Sequence, residues 1–476
     1  MAAEAFAEHL QHPVGRGHAP AGASVGAAGG AACGDVVRVS VVVRGERVHD
    51  VGFDASGCGA TVAAGSAAVA LVRGAPLLEA ARVGTAGIAA ELGGLSPGKL
   101  HAAELAADAL HRALGAAARG QARLAPVPER VLVAMSGGVD SAVAALLCAR
   151  SGSQPMAVTL ELWSDPEHDS SGSCCSADAV RLARSVAHSM GLPHFTLDLR
   201  PEFRAGVVDP FLSGHAQGQT PNPCVACNGH VRLDAMLAFA ESLGARELAT
   251  GHYARVHDGL LRTAADPAKD QTYMLSALGR TAVGRMRFPL GALHKAHVRE
   301  LAREAGLPVA GRADSQDLCF LAGSGGKAAF LARHGGLAER DGELVDRSGR
   351  VLGRHRGHHR FTVGQRRGLG LSGGEPLYVL ATDARANRVT VGPHDELRTS
   401  HVVIRGARLH EQAERVDRVR LRYHARPLPC RIRGQAGPGP HRRLELELGE
   451  AADGATPGQT ACLMGGDVVL GWGTVA

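Results

Sequence analysis

The pattern of apolar and polar positions changes along this 476-residue chain, and each stretch predicts a different type of fold. Near the N-terminus, two β-rich runs at 36–43 and 47–53 precede Ala-rich helical segments, which predicts a small α+β unit. From residue 130, buried-strand patterns alternate with helical ones, which predicts a doubly wound parallel sheet. From Tyr378 onward, short β-rich runs recur, which predicts an antiparallel β-barrel at the C-terminus.

Shifts in composition between these stretches predict the domain boundaries. The Ala-rich helical segment that ends near residue 118 gives way to a stretch with Gly120, Pro126 and Pro128, which is typical of a linker. We therefore expect an α+β domain, a linker, an α/β domain, a small central domain and a β-barrel, at residues 1–118, 119–129, 130–325, 326–395 and 396–476.

Composition argues against a membrane protein and against a secreted disulfide scaffold. Hydrophobic residues make up 45% of the chain, but no uninterrupted apolar run approaches the ~20 residues needed to cross a bilayer. Glu4 and Glu8 stand where a secretory signal would carry basic residues, so a cytosolic location is expected. Ten cysteines in such a chain favour thiol chemistry or metal ligation over a disulfide framework.

The basic charge of the chain comes almost entirely from arginine. The formal net charge of +6 is compatible with a polyanionic partner such as RNA, although a general bias toward arginine is the simpler explanation. Lysine occurs only at Lys99, Lys269, Lys295 and Lys327.

A Ser/Gly loop at 134–141 is the strongest local signal for ligand binding. It lies between a predicted strand and a predicted helix, where backbone N–H groups and the helix dipole hold phosphate. The Gly-Lys-Ser/Thr ending of a Walker loop is missing. Instead, the loop resembles the SGG-x-DS motif of the pyrophosphate-loop ATPases, which implies ATP as cofactor and Asp140 as an aid to Mg²⁺. The predicted nucleotide contacts are Ala134, Met135, Ser136, Gly137, Gly138, Val139, Asp140, Ser141, Leu160 and Gly251.

Three cysteines occur in motifs that suggest chemistry. Cys224 and Cys227 form a CxxC pair after a proline-rich loop, and Cys319 follows far along the chain. A CxxC pair is compatible with half a zinc site, but the second pair that a structural zinc site needs is missing, so a reducible pair is favoured. By contrast, Cys148, Cys430 and Cys462 lie in apolar helix or strand patterns and are expected to be core residues. Cys174 and Cys175 lie in a Ser/Gly loop, and we expect them to be inert.

The ordered motifs SGGVDS, TPNPC-x-x-CN, ATGHYA, KDQ and DSQ-x-x-CF resemble the tRNA-specific 2-thiouridylases (MnmA) over about residues 131–476. The resemblance implies that Cys227 is the nucleophile and that Cys319 carries a persulfide. ATP would adenylate the C2 oxygen of the anticodon wobble uridine, sulfur would replace that oxygen, and a disulfide would join the two cysteines.

The family commonly has aspartate at the position of Cys224. An iron–sulfur cluster on Cys224, Cys227 and Cys319 is therefore a competing hypothesis.

The same resemblance implies a set of tRNA contacts: Asn222, Pro223, Cys224, His252, Lys269, Asp270, Gln271, Arg422, Tyr423 and Gln459. A basic stretch at 355–360, with Arg366 and Arg367, suits phosphate binding or simply a solvated face.

Two other functions stay open. One is an amide-forming synthetase, which would leave the cysteines without a role, and the other is an iron–sulfur carrier with a regulatory nucleotide domain.

Motifs near the N-terminus resemble the iron–sulfur scaffold family of IscU and the NifU N-terminal domain over about residues 1–114. The resemblance implies that Cys33, Asp35, Cys58 and His101 hold a metal. The scaffold's third cysteine is replaced by Ala102, which leaves cluster assembly in question. The open alternatives are a single metal ion, a persulfide, or a docking domain for a cysteine desulfurase as sulfur donor.

Overall fold

The computed structural model describes residues 2–29, 34–164, 177–314, 318–321, 325–371 and 375–476. Cys174 and Cys175 lie outside these ranges. Among the helices in these ranges, none combines the length and the apolar character needed to cross a bilayer.

The N-terminal unit is an antiparallel sheet covered by helices, as the sequence predicted. Its helices are α1 (Ala2–Gln11), α2 (Gly59–Val72), α3 (Leu77–Ala80), α4 (Thr85–Glu91), a 3₁₀ turn (Pro97–Lys99) and α5 (Leu100–Gly120), and its strands are β1 (Ser24–Gly29), β2 (Val36–Arg44) and β3 (Arg47–Ser56). Strand β2 lies between β1 and β3, and α5 crosses β1 and β2. The helix comes so close that a side chain at Gly26 would overlap the carbonyl oxygen of Ala109.

The next unit is a parallel five-stranded sheet with strand order β10-β7-β4-β5-β6, which confirms the predicted doubly wound fold. Its elements are β4 (Arg130–Ala134), α6 (Val139–Arg150), β5 (Gln154–Glu161), α7 (Ala177–Ser189), β6 (His194–Asp198), α8 (Arg200–Phe203), a π turn (Arg204–Val208), α9 (Asp209–Ala216), α10 (Pro223–Cys227), a π turn (Asn228–Arg232), α11 (Leu233–Ser242), β7 (Glu247–Thr250), β8 (Arg255–His257), β9 (Leu260–Arg262), α12 (Thr272–Leu275), α13 (Arg280–Val283), β10 (Met286–Arg287) and α14 (Lys295–Glu304). Alternate residues of β4 face opposite sides of the sheet, so Val131 and Val133 belong to one apolar cluster and Leu132 to the other.

The N-terminal unit packs directly on β6, the edge strand of this sheet. A side chain at Gly115 of α5 would overlap the carbonyl oxygen of Thr196, so the helix and the strand are in close contact. The buried pair of Arg184 and Asp108 joins the two units, with Nη1 and Oδ1 2.7 Å apart. Residues of the expected linker are also fixed, since Leu124 N donates to the carbonyl oxygen of Ser242 over 3.0 Å. The edge strand is therefore covered within the chain.

Two further β-structures complete the molecule, a central sheet with one parallel and two antiparallel strand pairings, and an antiparallel barrel. The central unit is a four-stranded sheet, and the C-terminal strands β15, β18, β17, β16, β19 and β20 close into a ring because β15 also pairs with β20. This confirms the predicted barrel, and the hairpin of β8 and β9 extends it beside β20. The elements are α15 (Lys327–Gly335), β11 (Gly342–Val345), β12 (Val351–His355), β13 (Tyr378–Asp383), β14 (Arg388–Gly392), β15 (Arg398–Leu409), β16 (Arg418–Arg420), β17 (Leu428–Ile432), β18 (Gly439–Asp453), β19 (Thr460–Gly465) and β20 (Val468–Val475), with 3₁₀ turns at His358–Arg360, His394–Leu397 and Ala413–Arg415.

Candidate active site

The Ser/Gly loop runs from the end of β4 into the start of α6. Gly138 is the N-cap of α6, so the first free N–H groups of the helix face the loop. Gly137 has a φ of 72°, and a Cβ there would come within 2.8 Å of the carbonyl oxygen of Ala179. A Cβ at Gly251, after β7, would come within 2.7 Å of the Asp140 carbonyl carbon. Both glycines thus allow a close approach of backbone segments, the geometry that a phosphate cradle needs.

A cavity of about 460 Å³ opens above this loop, which is a suitable size for a nucleotide. Many of the predicted residues line it: Ala134, Met135, Ser136, Gly138, Val139, Asp140, Ser141, Leu160, Gly251, His252, Lys269, Gln271 and Tyr423. The lining also includes residues that sequence reasoning missed: Val158, Thr159, Leu162, Arg232, Met236, Thr250, Tyr253, Ala268, Arg312, Ala313, Asp314 and His424. Tyr423 and His424 follow strand β16, so the barrel supplies one wall of the cavity.

A network of ion pairs lies beside the cavity, where Asp140, Lys269 and Asp314 belong to the lining and Lys295 and Arg299 lie outside it. The Lys295 Nζ lies 2.7 Å from Asp140 Oδ1 and 2.8 Å from Asp314 Oδ1. Asp314 also accepts from Lys269 Nζ over 2.8 Å and from Arg299 Nη2 over 2.9 Å. Burial opposes ionisation of Asp314, but the hydrogen bonds from the two lysines outweigh it and lower the pKa of this carboxyl to about 2. Sequence reasoning noted that the chain has only four lysines and selected Lys269, but it missed Lys295, which meets Lys269 at Asp314.

Two uncharged side chains flank this network. Tyr253 donates from its hydroxyl to Asp140 Oδ1 over 3.0 Å, and burial followed by the Asp140 charge raises the pKa of the phenol strongly. Burial lowers the pKa of His252 to about 3, and the nearby Arg232 charge adds a smaller effect in the same direction. The imidazole of His252 therefore stays neutral at physiological pH, with Nδ1 2.8 Å from the Thr250 hydroxyl.

The CxxC pair lies on the short helix α10. Asn222 caps this helix, and its Oδ1 accepts from Cys224 N over 3.1 Å and from Val225 N over 3.3 Å. Cys227, at the end of the helix, is 7% exposed, whereas Cys224 is half-buried. The pKa of the Tyr423 phenol is raised first by burial, then by Asp270 and by Cys224, so Cys224 lies within electrostatic reach of Tyr423. Cys224 is therefore a neighbour of Tyr423, which lines the cavity.

Cys319 lies beside the same part of the molecule. Its neighbour Phe320 packs edge-on against Phe203, with ring centroids 5.8 Å apart. Helix α10 packs against the π turn that directly follows Phe203. Cys227 belongs to an apolar cluster against which Cys319 packs, and neither residue lines the cavity.

Three other cysteines of the described ranges behave as their patterns predicted. Cys148, Cys430 and Cys462 are buried, which confirms their interpretation as core residues. Burial raises the pKa of the Cys148 thiol to about 11 and those of Cys430 and Cys462 to about 12. These thiols are therefore unreactive at neutral pH.

Several of the predicted tRNA contacts lie behind the cavity wall. Asp270 is buried and pairs with Arg420, with its Oδ2 2.7 Å from Nη1. Arg422 donates to the Thr456 hydroxyl over 3.1 Å, within the barrel. Pro223 is buried at the start of α10. Gln459 contacts the loop before α10 instead of the cavity. The structure thus brings His252, Lys269, Gln271 and Tyr423 together at the cavity and places the others around its supports.

The basic stretch at 355–360 is not one continuous charged surface. His355, His358 and His359 are buried, and burial lowers the pKa of His355 and His359. Arg356 and Arg360 both pair with Glu339, over 2.8 and 2.9 Å. The histidines therefore support the central sheet, whereas the two arginines of the stretch are exposed and share one carboxylate, and residues 366–367 are exposed as well.

A second candidate site lies in the N-terminal unit. The ligand atoms of Asp35, Cys58 and His101 all lie within 4.8 Å of one another. Thr61 Oγ1 donates to Asp35 Oδ2 over 2.6 Å. His101 Nδ1 lies 3.0 Å from the carbonyl oxygen of Gly98, which orients the ring, and Nε2 lies 3.5 Å from Asp35 Oδ2. A carboxylate, a thiol and an imidazole nitrogen held in this way fit a transition-metal ion.

Two other residues bear on this second site. Cys33, the fourth predicted ligand, lies outside the described residues. Ala102, at the position of the scaffold's third cysteine, is fully buried in α5 and offers no ligand atom.

Comparisons with known proteins agree with this organisation. The model of the NifU-like N terminal domain matches residues 2–122, and that of the tRNA methyl transferase HUP domain matches residues 129–323. The tRNA methyl transferase PRC-barrel domain matches residues 328–393, and the Aminomethyltransferase beta-barrel domain matches residues 394–475.

Three named relatives are similar in sequence to this chain over 73% or more of its length. The tRNA-specific 2-thiouridylases MnmA of Geobacter metallireducens and Chloroflexus aurantiacus are 40% and 42% identical over 73% of this chain and over 96% and 98% of their own lengths. The bifunctional protein NifU/MnmA of Rubrobacter xylanophilus is 44% identical, and the match covers 98% of this chain and 97% of that protein. Because the similarity extends through both the N-terminal unit and the thiouridylase-like part, this chain belongs to the family of fused NifU/MnmA proteins.

Proposed function

We propose that this protein is an ATP-dependent tRNA sulfurtransferase that converts the anticodon wobble uridine into 2-thiouridine. The observation that carries the proposal is the arrangement of one cavity, with the Ser/Gly loop on one side and the Tyr423 wall near the CxxC helix on the other. The fusion relatives and the thiouridylases named above support the same reaction. They favour it over an iron–sulfur carrier with a regulatory nucleotide domain.

The loop and the cavity fit ATP as substrate. Gly137 and Gly251 provide the close backbone approach that a Cβ would block, and the start of α6 provides N–H donors for phosphate. Mg²⁺ would enter with the nucleotide, and Asp140 and Asp314 are the carboxylates on the cavity wall beside it. In this arrangement the α-phosphate is attacked by the uridine O2, pyrophosphate leaves, and the oxygen becomes part of a good leaving group.

The two cysteines then supply and release the sulfur. The terminal sulfur of a persulfide on Cys319 bonds to C2, and AMP leaves with the former uridine oxygen. The Cys227 thiolate attacks the Cys319 sulfur, the bond to the transferred sulfur breaks, and its electron pair forms the thiocarbonyl. The products are 2-thiouridine and a Cys227–Cys319 disulfide, which a small thiol or dithiol must reduce before the next turnover.

Other partners follow from this chemistry. We propose that a cysteine desulfurase supplies the sulfur and docks on the N-terminal unit, and that Asp35, Cys58 and His101 hold a single metal ion there. Asn222, Pro223, Cys224, His252, Lys269, Asp270, Gln271, Arg422, Tyr423 and Gln459 would contact the tRNA or shape its pocket. The reaction would take place in the cytosol, together with tRNA.

An iron–sulfur cluster on Cys224, Cys227 and Cys319 is the second candidate mechanism, because Cys224 stands three residues before Cys227 on the same short helix. Protein purified without oxygen distinguishes the two mechanisms. Stoichiometric iron and sulfide that disappear in Cys224→Ser would support the cluster. Full thiolation by iron-free protein would support the persulfide.

The function itself is tested by thiolation of unmodified tRNA with ATP, a cysteine desulfurase with L-cysteine as the source of persulfide sulfur, and a dithiol that reduces the product disulfide, followed by mass spectrometry of the nucleosides. Wild type should produce 2-thiouridine only when ATP is present, and Cys227→Ser and Cys319→Ser should produce none. Cys430→Ala, which changes a buried barrel thiol, is the matched control and should stay active. Unchanged thiolation in both active-site variants, or a methylated nucleoside as product, would refute the proposal.

A further inference from the structure

Helix α5 of the N-terminal unit presents three polar side chains to the α/β domain. Asp108, His111 and Arg112 stand at positions i, i+3 and i+4 and therefore share one face of the helix. Asp108 is 5% exposed and His111 is fully buried, so both depend on protein groups for the hydrogen bonds that water would otherwise provide. Each of the three side chains contacts a different element of the α/β domain, and each contact leads to the nucleotide cavity.

Arg112 holds the end of strand β5. Its Nε lies 3.0 and 3.1 Å from the two carboxylate oxygens of Glu161, and its Nη1 donates to the carbonyl oxygen of Ala27 over 2.7 Å. Glu161 is the last residue of β5 and is 6% exposed, so its carboxylate is shielded from water. The residues on either side of Glu161 are Leu160 and Leu162, and both line the cavity. The guanidinium group thus fixes the strand directly behind the cavity wall.

His111 leads to the same wall through strand β6. Its Nδ1 lies 2.8 Å from the carbonyl oxygen of His194, which is also fully buried. The His194 Nε2 lies 2.9 Å from the hydroxyl oxygen of Thr159, and Thr159 lines the cavity two residues before Glu161. Strand β6 lies at the edge of the sheet and packs against α5. Helix α5 therefore sets the position of both strands.

Asp108 connects α5 to the Ser/Gly loop. Its Oδ1 lies 2.7 Å from Arg184 Nη1, and its Oδ2 accepts from Arg181 Nε over 2.8 Å. Both arginines belong to α7. The carbonyl oxygen of Ala179, in the first turn of this helix, lies so close to the loop that a Cβ at Gly137 would come within 2.8 Å of it. Asp108 therefore anchors the helix that packs on the Ser/Gly loop.

We propose that Asp108, His111 and Arg112 are positioning residues that hold the nucleotide cavity in the shape that binds ATP. The inference rests on the proposed function, which supplies ATP as the ligand. A cavity whose walls are already in place loses less conformational freedom on binding, and so binds its ligand more tightly. Here the walls are a loop and the ends of strands, and α5 fixes them at three points. The N-terminal unit is thus part of the nucleotide site, although none of its described residues lines the cavity.

Titration of the full-length protein with a non-hydrolysable ATP analogue tests the proposal. Arg112→Met and Asp108→Asn should each raise Kd by at least about fivefold, the lower end of ordinary coupling between sites. Arg112→Lys should give an intermediate value, because an ammonium group cannot make the forked contact of a guanidinium group. Arg119→Met is the matched control and should bind like wild type. Arg119 lies on the same helix and pairs with Glu202 across the same boundary, over 2.8 Å, but Glu202 lies outside the cavity lining.

Steady-state kinetics of thiolation separate positioning from a loss of folded protein. A cavity that has shifted raises KM for ATP, whereas kcat at saturating ATP stays within about twofold of wild type. A smaller folded fraction would lower kcat and leave KM unchanged. The double variant of Arg112→Met and Glu161→Gln should bind no more weakly than Arg112→Met alone, since both substitutions break the same contact. Glu161→Gln alone repeats the test from the α/β domain if Arg112→Met does not fold.

The outcomes distinguish this inference from the proposed function. A wild-type Kd in the folded variants, or a lowered kcat with an unchanged KM, would overturn this inference alone. An analogue that does not bind to wild type would overturn the proposed function and this inference with it.

Discussion

Gln459 donates a hydrogen bond from Nε2 to the carbonyl oxygen of Thr220 over 2.6 Å, and so connects the barrel to the loop before the CxxC helix. The Thr220 N–H donates in turn to the carbonyl oxygen of Pro457 over 2.8 Å. Asn222, two residues farther along, caps α10. The barrel therefore holds the peptide that orients Cys224 and Cys227, although it contributes neither cysteine.

Replacement of Gln459 by alanine should slow thiolation while leaving ATP binding unchanged. The lost hydrogen bond, worth ~1 kcal/mol, corresponds to about a fivefold loss in kcat if it positions the helix in the transition state. Single-turnover thiolation and ATP-analogue titration measure the two effects. Gln412→Ala, at an exposed barrel position, is the control and should match wild type. Equal rates for Gln459→Ala and the control would remove the positioning role.

A methyl group at Gly251 should impair nucleotide binding. The added Cβ would approach the Asp140 carbonyl carbon and the Ser141 nitrogen to 2.7 Å and displace the loop. Overpacking of this kind costs 1–3 kcal/mol, so KM for ATP should rise by about tenfold or more. Gly87→Ala, where a Cβ meets nothing within 4 Å, is the matched control. An unchanged KM would mean that the loop has room that the structure does not show.

The N-terminal site should bind Co²⁺ through a thiolate. Full-length protein titrated with Co²⁺ should develop a sulfur-to-metal charge-transfer band, which Cys58→Ser removes and His101→Ala weakens, because both residues offer ligand atoms beside Asp35. The Cys430→Ala variant should keep the band, since that thiol is buried in the barrel. A spectrum that is identical in Cys58→Ser and wild type would rule out this ligand set.

Acid should destabilise the fold through buried histidines. Burial, followed by the charges of Lys327, His359 and His358, lowers the pKa of His215 to about 3, against an ordinary value of 6.5. The folded state thus binds fewer protons than the unfolded state between these values. The contribution to stability is complete above pH 6.5 and is lost as pH falls toward 3, at about 1.4 kcal/mol per pH unit.

Urea denaturation at pH 7.5, 6.5 and 5.5 measures this loss. His215→Gln should flatten the dependence of the free energy of unfolding on pH between the two lower values. His297→Gln, which changes an exposed histidine, should leave the slope unchanged. A wild-type stability that is constant over this range would contradict the assignment of His215 as neutral.

Local patterns were sufficient for the elements that carry strong periodicity. Residues 130–161 form the predicted strand, loop, helix and strand, because a buried parallel strand needs a continuous apolar run and a phosphate loop needs small residues. Strand β1 was not predicted. Its sequence, Ser-Val-Gly-Ala-Ala-Gly, has little intrinsic preference for a strand, and it forms one because it pairs with β2 while α5 packs on Gly26.

Sequence motifs identified the chemistry of this protein, and tertiary structure determined which residues share in it. The Ser/Gly loop and the cysteines could be recognised because each motif spans only a few adjacent residues. Lys295 and Asp140 stand 155 residues apart, Gln459 and Thr220 stand 239 apart, and no local pattern links either pair. They meet because parallel strands deliver their ends to one edge of the sheet and the barrel closes over that edge. Their partnership depends on burial and charge, which exist only once the chain has folded.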